Sequence, residues 1–492
     1  MDQVDVLVVG AGNAALTAAL SAAESDVDVL VLEKAPKEER GGNTAFTGGV
    51  LRHAHNGKPD IMKLVDSLSQ KEWEEIEISP FPPEELYKEV MRITQGKADP
   101  VLSRTWINES YNTVLWMKEK LGIKLVFNDV FTLTDLGVKK FRGPAVLMAE
   151  GKGIGLSTGL FRKCENTSNI TIQYRTQVKR LLVEAGKVQG VVASVNGASI
   201  EIRAKSVVLA SGGFESSQEL RMKFMGDHWS KAKVRGTKYN TGETLLAAIE
   251  AGASTFGDLS DCHATPIDAR SPDYGTLELT DKTARYSWMF GILVNKEGKR
   301  FVDEGEDFGD LVYAKLGKII LTQRDATAYQ MFDKKTLHLL EKRYSTFPPI
   351  TAQFLDELSG KIDIDIDQLK KTVEEFNRNI DTTKKFDPTI KDGRATRNIN
   401  PPKSNWAQSI DEAPFVVYPV TCGITFTFGG IKVNEKAQVI SKNDSPIQGL
   451  YAAGEITGGF FYHNYPGGAG LMRGAVFGKI AGVEAASFAK LH

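Results

Sequence analysis

Residues 4–34 read VDVLVVGAGNAALTAALSAAESDVDVLVLEK, and the order of apolar and glycine-rich segments within them decides the fold class. Val4–Val9 is a short, nearly continuous apolar stretch of the kind a strand buried on both faces shows. Gly10-Ala11-Gly12-Asn13-Ala14-Ala15 follows at once, and Ala14–Ser25 is rich in Ala and Leu with no breaker, which suits a helix packed closely on a sheet. Val27–Leu32 is a second buried strand, ending at Glu33. Strand, glycine-rich turn, helix, strand is the setting that a dinucleotide-binding fingerprint requires. Gly10 permits the tight turn, Gly12 lets backbone approach a pyrophosphate, and Ala15 is small enough for close helix–strand packing. The start of the helix presents unpaired N–H groups and partial positive charge to phosphates. Glu33 stands where a carboxylate can accept both hydroxyls of a ribose.

Two further glycine clusters choose between the dinucleotides. Gly41-Gly42-Asn43-Thr44, with Gly48-Gly49 behind it, supplies a second backbone-rich loop. Gly449–Glu455 reads as a short strand that delivers a carboxylate, and Gly467-Gly468-Ala469-Gly470-Leu471 opens a helix over Met472–Ala486. A second helix N-terminus aimed at the ligand suits an isoalloxazine, whose reduced form is negatively charged; a nicotinamide has no such need. The reading is therefore FAD. Gly151-Lys152-Gly153-Ile154-Gly155 competes as a second nucleotide loop for NADPH, but no clear apolar strand precedes it, so it reads as a helix-opening turn.

Composition narrows the function classes. The 492 residues carry 61 Lys and Arg against 62 Asp and Glu, a formal net charge of −1, with no basic block that would suit nucleic acid. Apolar runs are too short to cross a bilayer, so no transmembrane segment is expected. No charged-then-apolar leader precedes the first strand, and a cytoplasmic location is expected. Cys164, Cys262 and Cys422 are too few and too dispersed for a metal site or a disulfide framework.

Along the chain, Thr105–Leu121 has helical spacing. Ile170–Leu209 reads as strands and hairpins, with turns at Ala185-Gly186-Lys187 and Asn196-Gly197. Near Asp258 the glycine clusters thin out. A helix follows at Ile366–Ile380, and Lys384–Asn405, with Pro388, Pro401 and Pro402, looks like an exposed excursion. The clusters return after Ala413. A style that is left and resumed implies an insertion: residues 1–258 and 416–492 form one α/β, Rossmann-like FAD-binding domain, interrupted by an α+β domain over 259–415.

Taken together, GAGNAA (10–15), GGNTAFTGG (41–49), LASGGF (209–214), NTGE (240–243), CHAT (262–265), GILVNKEGKRFVDE (291–304), TFTFGGI (425–431) and LYAAGEITGG (450–459) running into NYPGGAGL (464–471) resemble the fumarate reductase and succinate dehydrogenase flavoprotein family. VTCGITFTFGGI and YHNYPGGAGLMRGAVFG look most like its tricarballylate dehydrogenase branch. The resemblance implies that the inserted domain is a mobile cap, with substrate held between cap and flavin. Carried over motif by motif, it implies FAD contacts at Gly10, Gly12, Asn13, Ala14, Glu33, Lys34, Gly42, Asn43, Thr44, Gly48, Gly49, Val178, Ser211, Glu243, Glu455, Gly470 and Leu471. Some relatives attach flavin through a histidine in the loop that begins at Gly41. Asn43 stands there in this chain, with His53 and His55 further on, so non-covalent FAD is expected.

The departures bear on chemistry. The arginine that fumarate reductases use as proton donor has no counterpart in Glu304–Gly309. Their substrate histidine is Phe426, their carboxylate-binding arginine is Tyr465, and only the histidine of their HPT motif persists, as His263. The ketosteroid dehydrogenases carry a tyrosine in a motif comparable to that around Tyr465. Tyr465 and His263 are therefore the acid/base candidates. An ordinary tyrosine pKa of about 10 is high for a base, so nearby N–H groups or His463 would have to lower it. Arg235, Arg285 and Arg473 are the candidate partners for a carboxylate substrate, with Phe426 and Thr427 also facing it. The expected activity is FAD-dependent interconversion of C–C and C=C next to a carboxylate or ketone. Tricarballylate-like acids lead, a larger cyclic ketone is the alternative, and a flavin-binding protein without turnover stands third. The electron acceptor is unknown.

Overall fold

The computed structural model describes residues 3–128, 132–135, 138–141 and 143–492. Contacts divide the chain into two compact units. One comprises 1–225, 236–262 and 426–492, the other 226–235 and 263–425.

The first unit is built on an eight-stranded sheet. Its centre is five parallel strands in the spatial order Ile170–Gln173, Val29–Leu32, Val4–Val9, Ala198–Leu209, Pro446–Ala452, with Val9 beside Leu32 and Val208 beside Tyr451. Apolar residues on both faces of these strands are what a parallel sheet covered by helices requires. Val6, Leu7, Val8, Val31, Val207, Val208 and Leu450 are fully buried. The hairpin strands Thr176–Glu184, Lys187–Val195 and Ala198–Leu209 turn at Gly186 and Asn196-Gly197.

Two helices lie together on this sheet, Asn13–Ala23 and Ala469–Leu491. Their closeness comes from side-chain size. A methyl placed on Gly478 would lie 2.2 Å from Thr17 Oγ1 and 2.4 Å from the Ala14 carbonyl, and one on Gly482 would lie 2.1 Å from Ser21 Oγ. Glycine every four residues along one face thus lets the backbones touch. The helix expected from Met472 begins at Ala469, and the one expected from Thr105 runs over Pro100–Glu119, capped by Asp99 Oδ1 on the Leu102 N–H at 2.9 Å.

The second unit holds a six-stranded sheet around the long strand Phe415–Thr427, flanked by Thr327–Phe332, Ile350–Ala352, Lys233–Val234 and Cys262–Asp268. Ile292, Val294, Met331, Leu369, Val373 and Phe376 form its core against the helix Ile366–Arg378. The segment GILVNKEGKRFVDE serves this core. Arg300 pairs with Glu304 through Nε–Oε1 at 3.0 Å and Nη2–Oε2 at 2.5 Å, both side chains buried, while Glu304 also accepts the Leu293 N–H at 2.8 Å. The excursion expected at Lys384–Asn405 is exposed in part only. Lys403 is buried and donates to the Gly291 carbonyl at 2.5 Å, so this segment closes over the core.

Candidate functional site

At the C-terminal edge of the parallel sheet, the first unit gathers its glycine-rich loops around two helix starts. Gly10 has φ +102°, and a methyl there would sit 2.4 Å from the Ala210 carbonyl, so only glycine lets the chain leave the first strand past Ala210-Ser211. Thr44 Oγ1 accepts the Asn13 N–H at 2.8 Å, tying the loop 41–49 to the first helix. Asn13 Nδ2 donates to the Leu471 carbonyl at 2.8 Å, tying the same point to the start of the last helix. Two helix N-termini therefore meet across one asparagine, and their dipoles favour negative charge beside it. Asn13 Oδ1 is buried without a hydrogen-bond partner, an acceptor with nothing to receive.

Glu33 is buried at the end of its strand, accepting the Ala35 N–H at 2.7 Å, and burial holds its carboxyl above the ordinary range. Beside it Lys34 pairs with Glu243 at 2.9 Å, and Gln177 Nε2 donates to Glu243 at 2.6 Å. A recess of about 470 Å³, lined among others by Lys34, Pro36, Arg175, Gln177 and Tyr239, opens next to this network. Val178, the next residue along the strand, is buried. Glu455 lies on the short turn after Ala452, its Oε1 accepting the Thr427 N–H at 2.9 Å.

The Gly151–Gly155 loop works differently. A short strand, Leu147–Ala149, does precede it, contrary to the sequence reading. Its glycines nonetheless serve packing: a methyl on Gly153 would lie 2.2 Å from the Thr44 carbonyl, so the helix Lys152–Glu165 supports the loop 41–49 from behind.

Tyr465 stands just before the last helix. Its Oη accepts the Gly470 N–H at 2.9 Å, and its ring meets Phe426 (centroids 5.1 Å apart, 80°) and Phe461 (5.0 Å, 89°) edge to face. Phe428 completes the group, 5.5 Å from Phe426. N–H groups of the helix start pull the phenol's pKa down, as the sequence suggested they could, but burial outweighs them and the net direction is up. Tyr465 is a neutral phenol at neutral pH, a donor rather than a base.

In the second unit, Arg235 and His263 are neighbours. Burial first, and Arg235 second, hold His263 well below its ordinary pKa, so its imidazole is neutral. His263 packs edge-on against Tyr313 at 4.8 Å, and Tyr313 against Tyr286 at 4.9 Å. Arg235 Nε is buried without a partner, as is Tyr286 Oη.

The model of a family described as FAD binding domain matches residues 5–471. The chain belongs to this FAD-binding family. It is 29% identical over 496 residues to a fumarate reductase (cytochrome) of Shewanella frigidimarina, an alignment spanning 99% of this flavoprotein and 78% of that one. It is 27% identical to a urocanate reductase of Eggerthella lenta, over 99% of this chain and 75% of the relative. Among solved structures, a 3-ketosteroid delta1-dehydrogenase from Sterolibacterium denitrificans superposes with a TM-score of 0.75 at 20% identity, covering 99% of this chain and 100% of that one. A flavocytochrome c3 fumarate reductase gives 0.74 at 24%, covering 99% and 79%. At these identities the structural likenesses speak for the fold. The flavoprotein is an FAD-dependent oxidoreductase.

The cradle fits FAD: two helix starts for negative charge, a buried carboxylate at the strand end, and an orphaned acceptor at Asn13. Three of the expected substrate contacts are otherwise engaged. Arg285 is fully buried, donating to the carbonyls of Lys282, Ala284 and Arg343 and pairing with Asp268 at 3.2 Å, under the rings of Tyr344 and Phe347. Arg473 donates to the Gly454 carbonyl and to Thr457 Oγ1, stacks on Phe460 and Phe461, and faces Glu455 electrostatically. Thr427 gives both its N–H and its hydroxyl to Glu455. A cation in the first turn of the last helix thus has a local reason, the Glu455 charge and the carbonyls of the turn before it.

Sequence reading missed Glu215, Asn240, Tyr286 and Tyr313. Asn240 opens the NTGE segment and Glu215 directly follows LASGGF, so position relative to those segments was the available signal. The two tyrosines had none. Among the described residues, no His, Cys, Asp and Glu cluster could hold a metal, and no helix is long and apolar enough to cross a membrane.

Proposed function

We propose that this flavoprotein interconverts a C–C and a C=C bond next to a carbonyl, in a substrate with a planar, apolar body larger than a small polycarboxylate. The observation that carries the reading is the Tyr465 phenol. It is held by the Gly470 N–H, meets Phe426 and Phe461 edge to face, and is neutral, so it carries a proton that it can give to a substrate carbon or oxygen. Bound FAD supplies hydride exchange at N5. The chain's own part is to orient the substrate, exclude water and move the proton. Tyr465 is the proton donor in reduction. Within the second unit, Arg235, whose buried Nε has no hydrogen-bond partner, and neutral His263 are by themselves candidates for binding a carboxylate or ketone oxygen.

FAD is held without a covalent bond, by the residues expected from sequence: Gly10, Gly12, Asn13 and Ala14 for the pyrophosphate, Glu33, Lys34, Val178 and Glu243 towards the ribose and adenine, and the loop Gly42–Gly49, Ser211, Glu455, Gly470 and Leu471 along the rest. The histidines nearest that loop support this. His53 is fully buried, its Nδ1 on the Leu51 carbonyl at 2.7 Å, with its pKa lowered to about 4 by burial.

The arginine engagements argue against a tricarboxylate. The Nε of all three guanidiniums is buried without a hydrogen-bond partner, but Arg285 is paired with Asp268 and three carbonyls and Arg473 faces Glu455, whereas Arg235 donates from Nη1 to Thr425 Oγ1 at 3.5 Å. Arg235, which has no carboxylate partner among the described residues, favours a second reading, a monocarboxylate such as an aryl-substituted acrylate. The test is anaerobic: photoreduced enzyme is mixed in turn with cyclic enones, aryl acrylates, fumarate and aconitate, and return of the oxidised flavin spectrum is followed. Reoxidation by enones or aryl acrylates is expected; a response confined to the small polycarboxylates overturns the reading.

A further inference from the structure

Within the first unit, the fully buried Glu215 and the half-buried Glu455 face each other, with no lysine or arginine among the described residues in salt-bridge contact with either. Glu215 and Glu455 are bridged by two amides. Asn43 Nδ2 lies 2.8 Å from Glu215 Oε1 and 3.5 Å from Glu455 Oε2, and Asn240 Nδ2 lies 2.7 Å and 3.4 Å from the same atoms. Thr427 holds Glu455 Oε1, and the Thr237 N–H donates to Asn43 Oδ1 at 3.0 Å. Three glycines admit this cage. A methyl on Gly213 would lie 2.2 Å from Glu455 Oε1, one on Gly212 2.4 Å from Asn240 Nδ2, and one on Gly236 2.2 Å from Asn43 Oδ1.

Of the four carboxyl oxygens, three accept hydrogen bonds. Glu215 Oε2 is buried with none. If both groups were ionised, that oxygen would be an orphaned acceptor next to a second negative charge, a double penalty in a dry site. The surrounding charges are few. Arg473 acts on Glu455 through space, and Arg221 donates to the main-chain carbonyl of Glu215. One guanidinium balances one carboxylate.

We propose that Glu215 is a neutral carboxylic acid that shares its single proton with Glu455 and thereby positions Glu455 in the FAD cradle. The proton turns the orphaned acceptor into a donor, and the pair carries one negative charge opposite Arg473. Burial, and after it the neighbouring Glu455, drive the Glu215 pKa well above the carboxylate range, in keeping with this count. The inference rests on Glu455 belonging to the cradle; it is independent of the substrate reading, because no substrate enters its test.

The test uses FAD-loaded protein. The infrared spectrum at pH 8 is expected to show a protonated carboxylic acid band that Glu215→Gln removes. Because the folded state holds a proton that unfolded Glu215 releases near its ordinary pKa, wild-type stability falls as pH rises from there up to the folded pKa. Glu215→Gln, whose amide donates at every pH, lacks this dependence. In that window the wild-type folding constant should drop tenfold per pH unit relative to the variant. An unchanged band with parallel stability profiles overturns the proposal. Should the glutamine variant fail to load FAD, Glu455→Gln serves: it is expected to lower the pH at which the band titrates by at least one unit, and an unmoved titration overturns the proposal equally.

Discussion

Tyr465 shows how one side chain can hold the chemistry while its neighbours set its charge. Two rings and a helix start enclose it, and desolvation outweighs the N–H groups that would favour a phenolate. Tyr465→Phe keeps the aromatic box and removes only the oxygen. We expect it to retain bound flavin and to lose about 10²–10⁴-fold in kcat/KM, measured with whichever substrate reoxidises the flavin. Because the phenol is the working form and its pKa lies above the ordinary value, activity should stay flat through neutral pH and decline only at alkaline pH; a decline beginning near pH 7 would contradict this. The flavin's attachment is also a matter of single residues. With Asn43 in the loop and His53 buried, acid precipitation should leave a colourless pellet and a yellow supernatant. At this scale the sequence showed the cofactor residues well, since they sit in glycine-rich segments whose spacing has one physical use. It did not show Glu215 or Tyr313, because a buried acid or a tyrosine acquires meaning only from partners far away in the chain.

Elements were legible where local chemistry alone forms them. The first strand lies at Val4–Val9 as read, since buried parallel strands announce themselves by apolar content. The helix at Pro100 was read late because its start is written in a cap and a proline, Asp99-Pro100, rather than in apolar spacing. What no local pattern displayed is the contact between the first and last helices. A valine at Gly478 would drive two methyls into Thr17 and the Ala14 carbonyl. Overpacking there should cost about 1–3 kcal/mol or more and release flavin, read by denaturant titration and by flavin fluorescence. In the other unit, Glu304→Ala leaves the buried Arg300 guanidinium with carbonyl partners but no counter-charge, and leaves the Leu293 N–H without its acceptor. Breaking a buried pair of this kind should cost about 3–5 kcal/mol in the same titration. The segment around it is thus explained by folding rather than by ligand contact.

Across the whole molecule, glycine usage points to an insertion over 259–415, and contacts divide the chain into units made of 1–225, 236–262 and 426–492, and of 226–235 and 263–425. It placed an edge at 415/416, whereas the strand Phe415–Thr427 carries on for ten residues before the contacts change hands at 425/426. Composition changes where surface and loops change, and a single extended strand offers no such cue. Bound FAD should stabilise the protein by mass action, so the melting temperature is expected to climb with free FAD concentration.

The meeting of the first and last helices through Asn13 also dictates when the molecule can mature during its synthesis. Val4–Val9 emerges long before its partners: its sheet lacks Pro446–Ala452 and its cradle lacks the helix start at Ala469 until the whole stretch between them has been translated. Pairings this distant in the chain close slowly. A ribosome paused before residue 446 would therefore carry an incomplete, aggregation-prone sheet without its prosthetic group, and colour would appear only after Pro446–Ala452 and Ala469–Leu491 had cleared the exit tunnel.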